Sequence, residues 1–361
     1  GHNVAIIESH EALFLGNTAA AFGSLTPYSD PFFRGAVGCF AAASVSRYER
    51  EIVPFLAETT GVKVHISERS LIQLLEDERE VQKYASGGNI TQQEHLPASR
   101  LLSREEALQL EPNITTEFHS AIEYQEPWIE LELLLDALTQ FAKQTEKIHL
   151  LLGHDPSSLR EASSSVEITF SDGRRENYDG VVLATGSSFR RIRGIPNPKI
   201  DLIRGDVAVA LSKNGTSLLN RHVYMGKGFV TPRLDGRHLL GATYERLSTR
   251  PEDRPFSKRH SAKLKSLQMV LASTQRLVPL LSECEIVDVW HGWRPSTPSG
   301  MPFVGKLPSH QRIYAAVGFI GLGITMAPAV GAALAEALEG NSQAIPKDLS
   351  SEQAELWSEE C

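Results

Sequence analysis

Cysteine is scarce in this chain and badly spaced for structural use. The 361 residues hold three, Cys39, Cys284 and Cys361. None forms a Cys-x-x-Cys pair, which excludes a zinc ribbon and a disulfide framework. The twelve histidines fall without ligand spacing, so no metal site is expected. Dense Lys/Arg blocks are missing and the formal net charge is −8, which argues against a general nucleic-acid binder. The opening GHNVAIIESH lacks a basic segment followed by a long apolar one, so no signal peptide is read and a reducing cytoplasm fits best. One uncharged run, residues 313–335, is long enough to raise a membrane span. Gly318, Gly321 and Gly323 break it after an apolar strand, and Pro328 is read as a helix start with Gly340 just past its end. The expected strand, glycine turn and helix present backbone N–H groups and a positive helix end to an anionic or electron-rich ligand. Apolar content of 41% and charged content of 22% then suit a globular chain with two domains.

Residues 3–8 (NVAIIE) read as a short buried strand closed by Glu8. The second strand of a dinucleotide-binding unit ends this way, its carboxylate reaching the ribose hydroxyls, although any buried strand with an edge acid has the same look. The companion G-x-G-x-x-G loop belongs about 20 residues earlier, beyond the first residue here. The chain is therefore expected to lack the first strand, the phosphate-binding glycines and the first helix. Its natural form is expected to begin about 25–30 residues upstream.

Residues 16–30 (GNTAAAFGSLTPYSD) are rich in small side chains that let backbone approach a flat ligand. Asp30 and Pro31 are expected to open a helix whose core face carries Phe32, Val37, Phe40, Val45, Ile52 and Phe55. Residues 61–75 begin with strand-like alternation. Ser103 and Glu106 form a capping box for a short helix stopped by Pro112, and residues 129–147 form a second helix with a leucine face. A hairpin through Ser-Asp-Gly leads to the buried strand GVVLATG at 180–186. Strands follow at DVAVAL, KGFVTPR and HLLGATYE, then a charged amphipathic helix over 257–277. Residues 292–298 (GWRPSTP) read as a turn around a lone arginine, and a loose polar tail is expected from Gln343.

In this order and spacing, VAIIES, TAAAFGSLTPY, LLSREEALQLEP, VVLATG, FVTPRLDGRHLLGATYE, WHGWRPSTPSGMPFVG and GFIGLGITMAPAVG resemble the D-amino-acid oxidase family of flavoenzymes. The nearest branch is the glycine oxidase of thiamine biosynthesis, and the resemblance covers nearly the whole chain. It implies an α/β fold in which a Rossmann-like FAD-binding domain, here without its first strand and helix, interleaves with an α+β, mixed-sheet substrate domain. The FAD-binding domain is expected over 1–58, 120–195 and 292–345, the substrate domain over 59–119 and 196–291, and a polar tail at 346–361. FAD is implied to lie against Glu8, Thr18, Ala21, Gly23, Ser24, Thr185, Gly186, Gly321, Gly323, Ile324 and Thr325. The last three are implied to face the flavin's N1–C2=O edge, where negative charge accumulates on reduction.

The resemblance makes Arg294 the group that pairs with a substrate carboxylate. A planar guanidinium fixes a carboxylate bidentately, leaving the α-hydrogen aimed at flavin N5. Two positions depart from the glycine oxidase pattern: Phe229 replaces a substrate-binding tyrosine, and Gly321 replaces a second arginine. Arg294, Phe229 and Tyr244 form the implied substrate set, with His291 and Trp293 as further candidates to line the site. The expected reaction oxidises a small amine or amino acid to an imine, with molecular oxygen as acceptor and hydrogen peroxide as product. The alternatives are a dehydrogenase that passes electrons to a quinone or carrier, and a flavoprotein-like scaffold without catalysis. No nucleic acid, membrane span or metal is expected, and a homo-oligomer is left open. Without the upstream glycine loop the pyrophosphate loses its main cradle, so the 361-residue chain is expected to bind FAD weakly and an upstream-extended form to bind it. A source reading frame without such an upstream segment would remove that expectation.

Overall fold

A run of small and apolar residues between Asp201 and Leu211 forms the strand around which the largest sheet is built. The computed structural model describes residues 2–29, 35–86, 99–186, 192–246, 260–350 and 356–358. Asp201–Leu211 pairs antiparallel with Glu285–Ser296 on one side, and with Arg237–Gly241 and Glu245–Arg246 on the other. The sheet continues through Gly228–Pro232, His222–Met225, Leu71–Leu75, Ser120–Tyr124 and Arg100–Leu102, nine strands in all. Only the pairing of His222–Met225 with Leu71–Leu75 is parallel. Side chains alternate across a strand. One face carries Ile72, Val223, Val230 and Leu240, which bury against Val270 and Leu277 of the helix Leu264–Leu277. The opposite face carries Phe229, Gly241, Gly205 and Arg294.

The rest of the α/β fold is Rossmann-like. Val4–Glu8 pairs in parallel with Ile148–Leu152, and Val181–Leu183 pairs in parallel with Ile313–Val317. Helices Gly35–Arg47 and Gly323–Leu338 pack together through Val37, Ala41, Met326 and Val330. The capping box at Ser103 forms, with both of its reciprocal hydrogen bonds, and the hairpin Val166–Phe170 to Arg175–Tyr178 is present. No helix among the described residues is long and apolar enough to cross a membrane.

Four local expectations need correction. The helix start at Asp30–Pro31, with Phe32, lies outside the described residues. Further along, a π-turn at Tyr48–Ile52 adds a residue per turn and rotates the following stretch, Val53–Thr60. Val37 and Val45 are buried as expected, but Phe55 is 45% exposed and meets Phe141 edge-on at 5.2 Å. The alternation after Gly61 yields no strand until Leu71, apart from one isolated bridge at Ile66. The tail is not loose throughout: Leu349, Leu356 and Trp357 are buried, and Trp357–Ser358 pairs with Asn197–Pro198.

The fourth correction concerns Pro328, which lies inside the helix Gly323–Leu338 instead of starting it. An interior proline strips a donor from the carbonyl four residues back, here that of Ile324. The Tyr48 hydroxyl supplies the replacement, donating to the Ile324 carbonyl oxygen at 2.9 Å. Burial pushes the Tyr48 pKa well up, so the hydroxyl keeps the proton it donates. The next amide, Ala329 N–H, donates to Ser44 Oγ at 3.1 Å. Tyr48→Phe should therefore cost about 1–3 kcal/mol of stability, because it leaves a buried carbonyl without a donor. Urea unfolding at neutral pH measures this, and an unchanged midpoint would contradict it.

Candidate active site

Residues 285–296 form one continuous strand, so the expected turn at Gly292 begins only after Ser296. Its register sets Arg294 opposite Ile203 and Gly292 opposite Gly205, placing these residues on one face of the sheet. A Cβ on Gly205 would stand 2.5 Å from Arg294 Nη1 and 2.7 Å from Nη2. The guanidinium therefore lies flat on a strand that has no side chain there. Arg294 is half-buried as a residue, yet its charged end is enclosed, and burial holds its pKa below the ordinary arginine value against the pull of Tyr244 and Asp206. Nη1 donates to the Thr243 carbonyl oxygen at 3.0 Å, and no carboxylate pairs with Arg294 among the described residues.

The same alternation turns His291 and Trp293 to the opposite face. There His291 Nδ1 lies 2.7 Å from the Ser261 carbonyl oxygen, and the Trp293 ring faces the Arg204 guanidinium at 5.9 Å. Arg204 in turn grips Asp206 through Nε and Nη2, at 2.9 and 2.7 Å. Neither His291 nor Trp293 shares a face with Arg294. Tyr244 follows the carbonyl that Arg294 holds and is 58% exposed.

Phe229 stands opposite Gly241 on the Arg294 face. Its ring lies 5.6 Å from Phe22, 5.8 Å from His222 and 6.3 Å from Tyr224. Phe22 belongs to the small-residue segment that crosses above the sheet. A Cβ on Gly241 would meet the Phe22 ring at 2.4 Å, and one on Gly292 would meet Ala20 Cβ at 2.5 Å. The sheet thus forms a floor with glycine gaps, and residues 18–26 form a roof seated in them.

The roof gathers several of the residues proposed to hold FAD. Thr18 and Ala21 close a short 3-10 turn, with Ala21 N–H donating to the Thr18 carbonyl at 3.2 Å. Gly23 has φ of +75°, and its carbonyl accepts from Ile129 N–H at 2.8 Å. Thr325 Oγ1 accepts from Thr26 N–H at 3.2 Å, tying the roof to the first turn of the helix Gly323–Leu338. Gly186 places its Cβ position 3.7 Å from Asn17 Nδ2, so the end of the strand at Thr185 also reaches this region. Glu8 stands apart, its Oε1 accepting from His10 N–H at 3.0 Å.

Three observations on these residues are compatible with FAD. Ser24 Oγ and Thr185 Oγ1 are buried without a hydrogen-bond partner among the described residues. Gly321 has open space on its Cβ side. The helix at Gly323 carries no acid in its first turn, so its N–H groups and positive end are uncompensated. Among the described residues no cluster of His, Cys, Asp or Glu could hold a metal ion.

Several residues of this site escaped the sequence reading. Gly205 and Gly241 carried a usable signal, since an isolated strand glycine marks close approach of another group. Phe22 and Tyr224 carried none. His222, fully buried beside Phe229, donates from Nε2 to the Glu126 carbonyl oxygen at 2.7 Å. Burial pushes its pKa down to about 4, and likewise that of His238. Both rings are neutral at pH 7, so His222 adds no second cation near Arg233.

Set against known proteins, the chain matches the model of the DAO family, described as FAD dependent oxidoreductase, over residues 1–337. A glycine oxidase of Bacillus licheniformis is 24% identical over 351 residues, covering 94% of this chain and 88% of that one. The crystal structure of glycine oxidase from Geobacillus kaustophilus superposes with a TM-score of 0.83 at 24% identity, covering 93% of this chain and 88% of the other. The crystal structure of L-proline dehydrogenase from P. horikoshii has the same fold, with a TM-score of 0.77 at 20% identity over 93% of this chain and 86% of the other.

The two buried histidines generate a pH prediction. Their folded pKa of about 4 lies below the ordinary 6.5. Between those values the unfolded chain binds protons that the folded chain refuses. Stability is therefore whole above about pH 6.5 and lost as pH falls toward 4, on the order of 3 kcal/mol for each histidine. Urea midpoints at pH 7 and pH 4.5 measure the loss, and His222→Asn should reduce it by about half, leaving the share of His238.

Proposed function

We propose that this chain, which belongs to the DAO family of FAD-dependent oxidoreductases, oxidises a small amino acid or related amine at its C–N bond. The product is an imine, and with molecular oxygen as acceptor the second product is hydrogen peroxide. The observation that carries this reading is Arg294. Its guanidinium is enclosed, pressed flat on Gly205, and balanced by a backbone carbonyl but, among the described residues, by no carboxylate. An enclosed cation without an anion is costly, and a guanidinium fork is matched by a carboxylate. A substrate carboxylate fills both needs.

Bound FAD supplies the two-electron oxidation. The protein's part is to hold, orient and dry the reacting groups. Ser24, Thr185 and the first-turn N–H groups at Gly323, Ile324 and Thr325 are the residues proposed to hold the cofactor. Phe22 and Phe229 keep water from the floor beside Arg294. Phe229 offers no hydrogen bond, so Arg294 is proposed to carry carboxylate recognition, with the Tyr244 hydroxyl and the Asp206 carboxylate acting on its electrostatic field. The glycine oxidase relatives support an amino-acid substrate. The likeness to L-proline dehydrogenase keeps a dehydrogenase as the second reading, and oxygen uptake against dye reduction separates the two.

The decisive test mixes FAD-loaded protein anaerobically with glycine, sarcosine and a panel of D-amino acids and follows the visible absorption. Bleaching by a carboxylate-bearing amine is expected, and a bound flavin that none of them bleaches would end this reading. Gly205→Ala should push the guanidinium out of place and raise KM about tenfold or more, while Arg294→Met should lower kcat/KM by about 100-fold.

A further inference from the structure

Arg233 is a second enclosed arginine, and the reaction proposed above has no use for its charge. It follows the strand Gly228–Pro232 and is 7% exposed. Nη1 donates to the Ile129 carbonyl oxygen at 3.2 Å, and Nη2 donates to the Phe22 carbonyl oxygen. Its guanidinium faces the Trp128 ring at 5.4 Å. The nearest carboxylate, Glu130, is 3.9 Å away, and burial holds the Arg233 pKa below its ordinary value. An ion pair in a buried setting does not by itself explain such a residue, because desolvation offsets much of the attraction.

What distinguishes Arg233 is the identity of its two acceptors. They are backbone carbonyls of two different segments, the roof at Phe22 and the crossing chain at Ile129. Ile129 N–H in turn donates to the Gly23 carbonyl at 2.8 Å, and a Cβ on Gly23 would lie 2.4 Å from the Ile129 oxygen. Roof and crossing chain are thus locked edge to edge, and one rigid fork rooted in the floor hairpin holds both. The residue so held, Phe22, is the one whose ring presses on Gly241 and Phe229.

We propose that Arg233 is a positioning residue that sets the gap between roof and floor, and through Phe22 the shape of the substrate space beside Arg294. This rests on the reading that the gap is the reaction site. A lysine reaches either carbonyl as a point donor but cannot hold both in a fixed fork. The charge matters less than the geometry.

The test uses FAD-loaded protein carrying Arg233→Met, Arg233→Lys or Phe22→Ala, and Arg233→Met combined with Phe22→Ala. Two readouts are taken: amide hydrogen exchange at Ile129, which needs no amine, and KM against kcat for whichever amine bleaches the wild type. Arg233→Met is expected to speed exchange at Ile129 and raise KM about tenfold, with kcat little changed and Arg233→Lys intermediate. In the Phe22→Ala background the KM increment should vanish, because the effect travels through that ring. Wild-type exchange and KM in Arg233→Met, or simple additivity with Phe22→Ala, overturns the proposal. If Arg233→Met does not fold, Arg233→Lys is judged by the same exchange and KM criteria. If no amine bleaches the wild type, the functional reading fails, and the exchange rate at Ile129 still decides whether Arg233 holds the roof.

Discussion

Missing Cβ atoms govern the distance between the large sheet and the segment that covers it. At Gly205, Gly241 and Gly292 the floor offers bare backbone, and each position receives a group from above: a guanidinium, a phenyl ring and a methyl. Any side chain at these places would lift the roof or tilt the arginine. A strand interior is a poor place for glycine on propensity grounds. Its presence at three positions on one face shows that close approach outweighs strand stability there. The sheet provides rigidity through its hydrogen-bonded ladder, so the approach costs no definition of the floor.

The two enclosed arginines illustrate how similar chemistry serves different ends. Arg233 spends its fork on two protein carbonyls, one through each terminal nitrogen. Arg294 meets one carbonyl and lies flat on a glycine, so most of its fork remains for a planar anion. Burial lowers the pKa of both, and an arginine side chain nonetheless stays charged in proteins. In the proposed reading one cation is a clasp and the other a receptor. The difference lies in the partners that the fold brings within reach.

Much of the fold was legible because its signals are local. The Ser103 capping box, the Ser-Asp-Gly hairpin and the DVAVAL strand at residues 206–211 each declare themselves within a few residues. The family motifs were legible too, and the segments bearing Thr18, Ser24, Thr185 and Thr325 do converge. What was not legible depended on distant partners or on element boundaries. Reading residues 292–298 as a turn hid the two-residue period that sends His291 and Trp293 away from Arg294. A π-turn carries no compositional mark, so the rotation that exposes Phe55 could not be foreseen. Leu356 and Trp357 sit among polar residues, and only tertiary contacts show that they are buried.

Proline inside the last helix is tolerated because a hydroxyl from another helix does the work of the absent amide. The two residues therefore do not drift independently. A descendant that loses Tyr48 while keeping Pro328 is left with a bare carbonyl in the first turn of the helix at Gly323. One that first replaces Pro328 with an ordinary residue regains the amide donor and is free to lose the hydroxyl afterwards. The order of substitution is thus constrained, with position 328 able to change first and position 48 only after it.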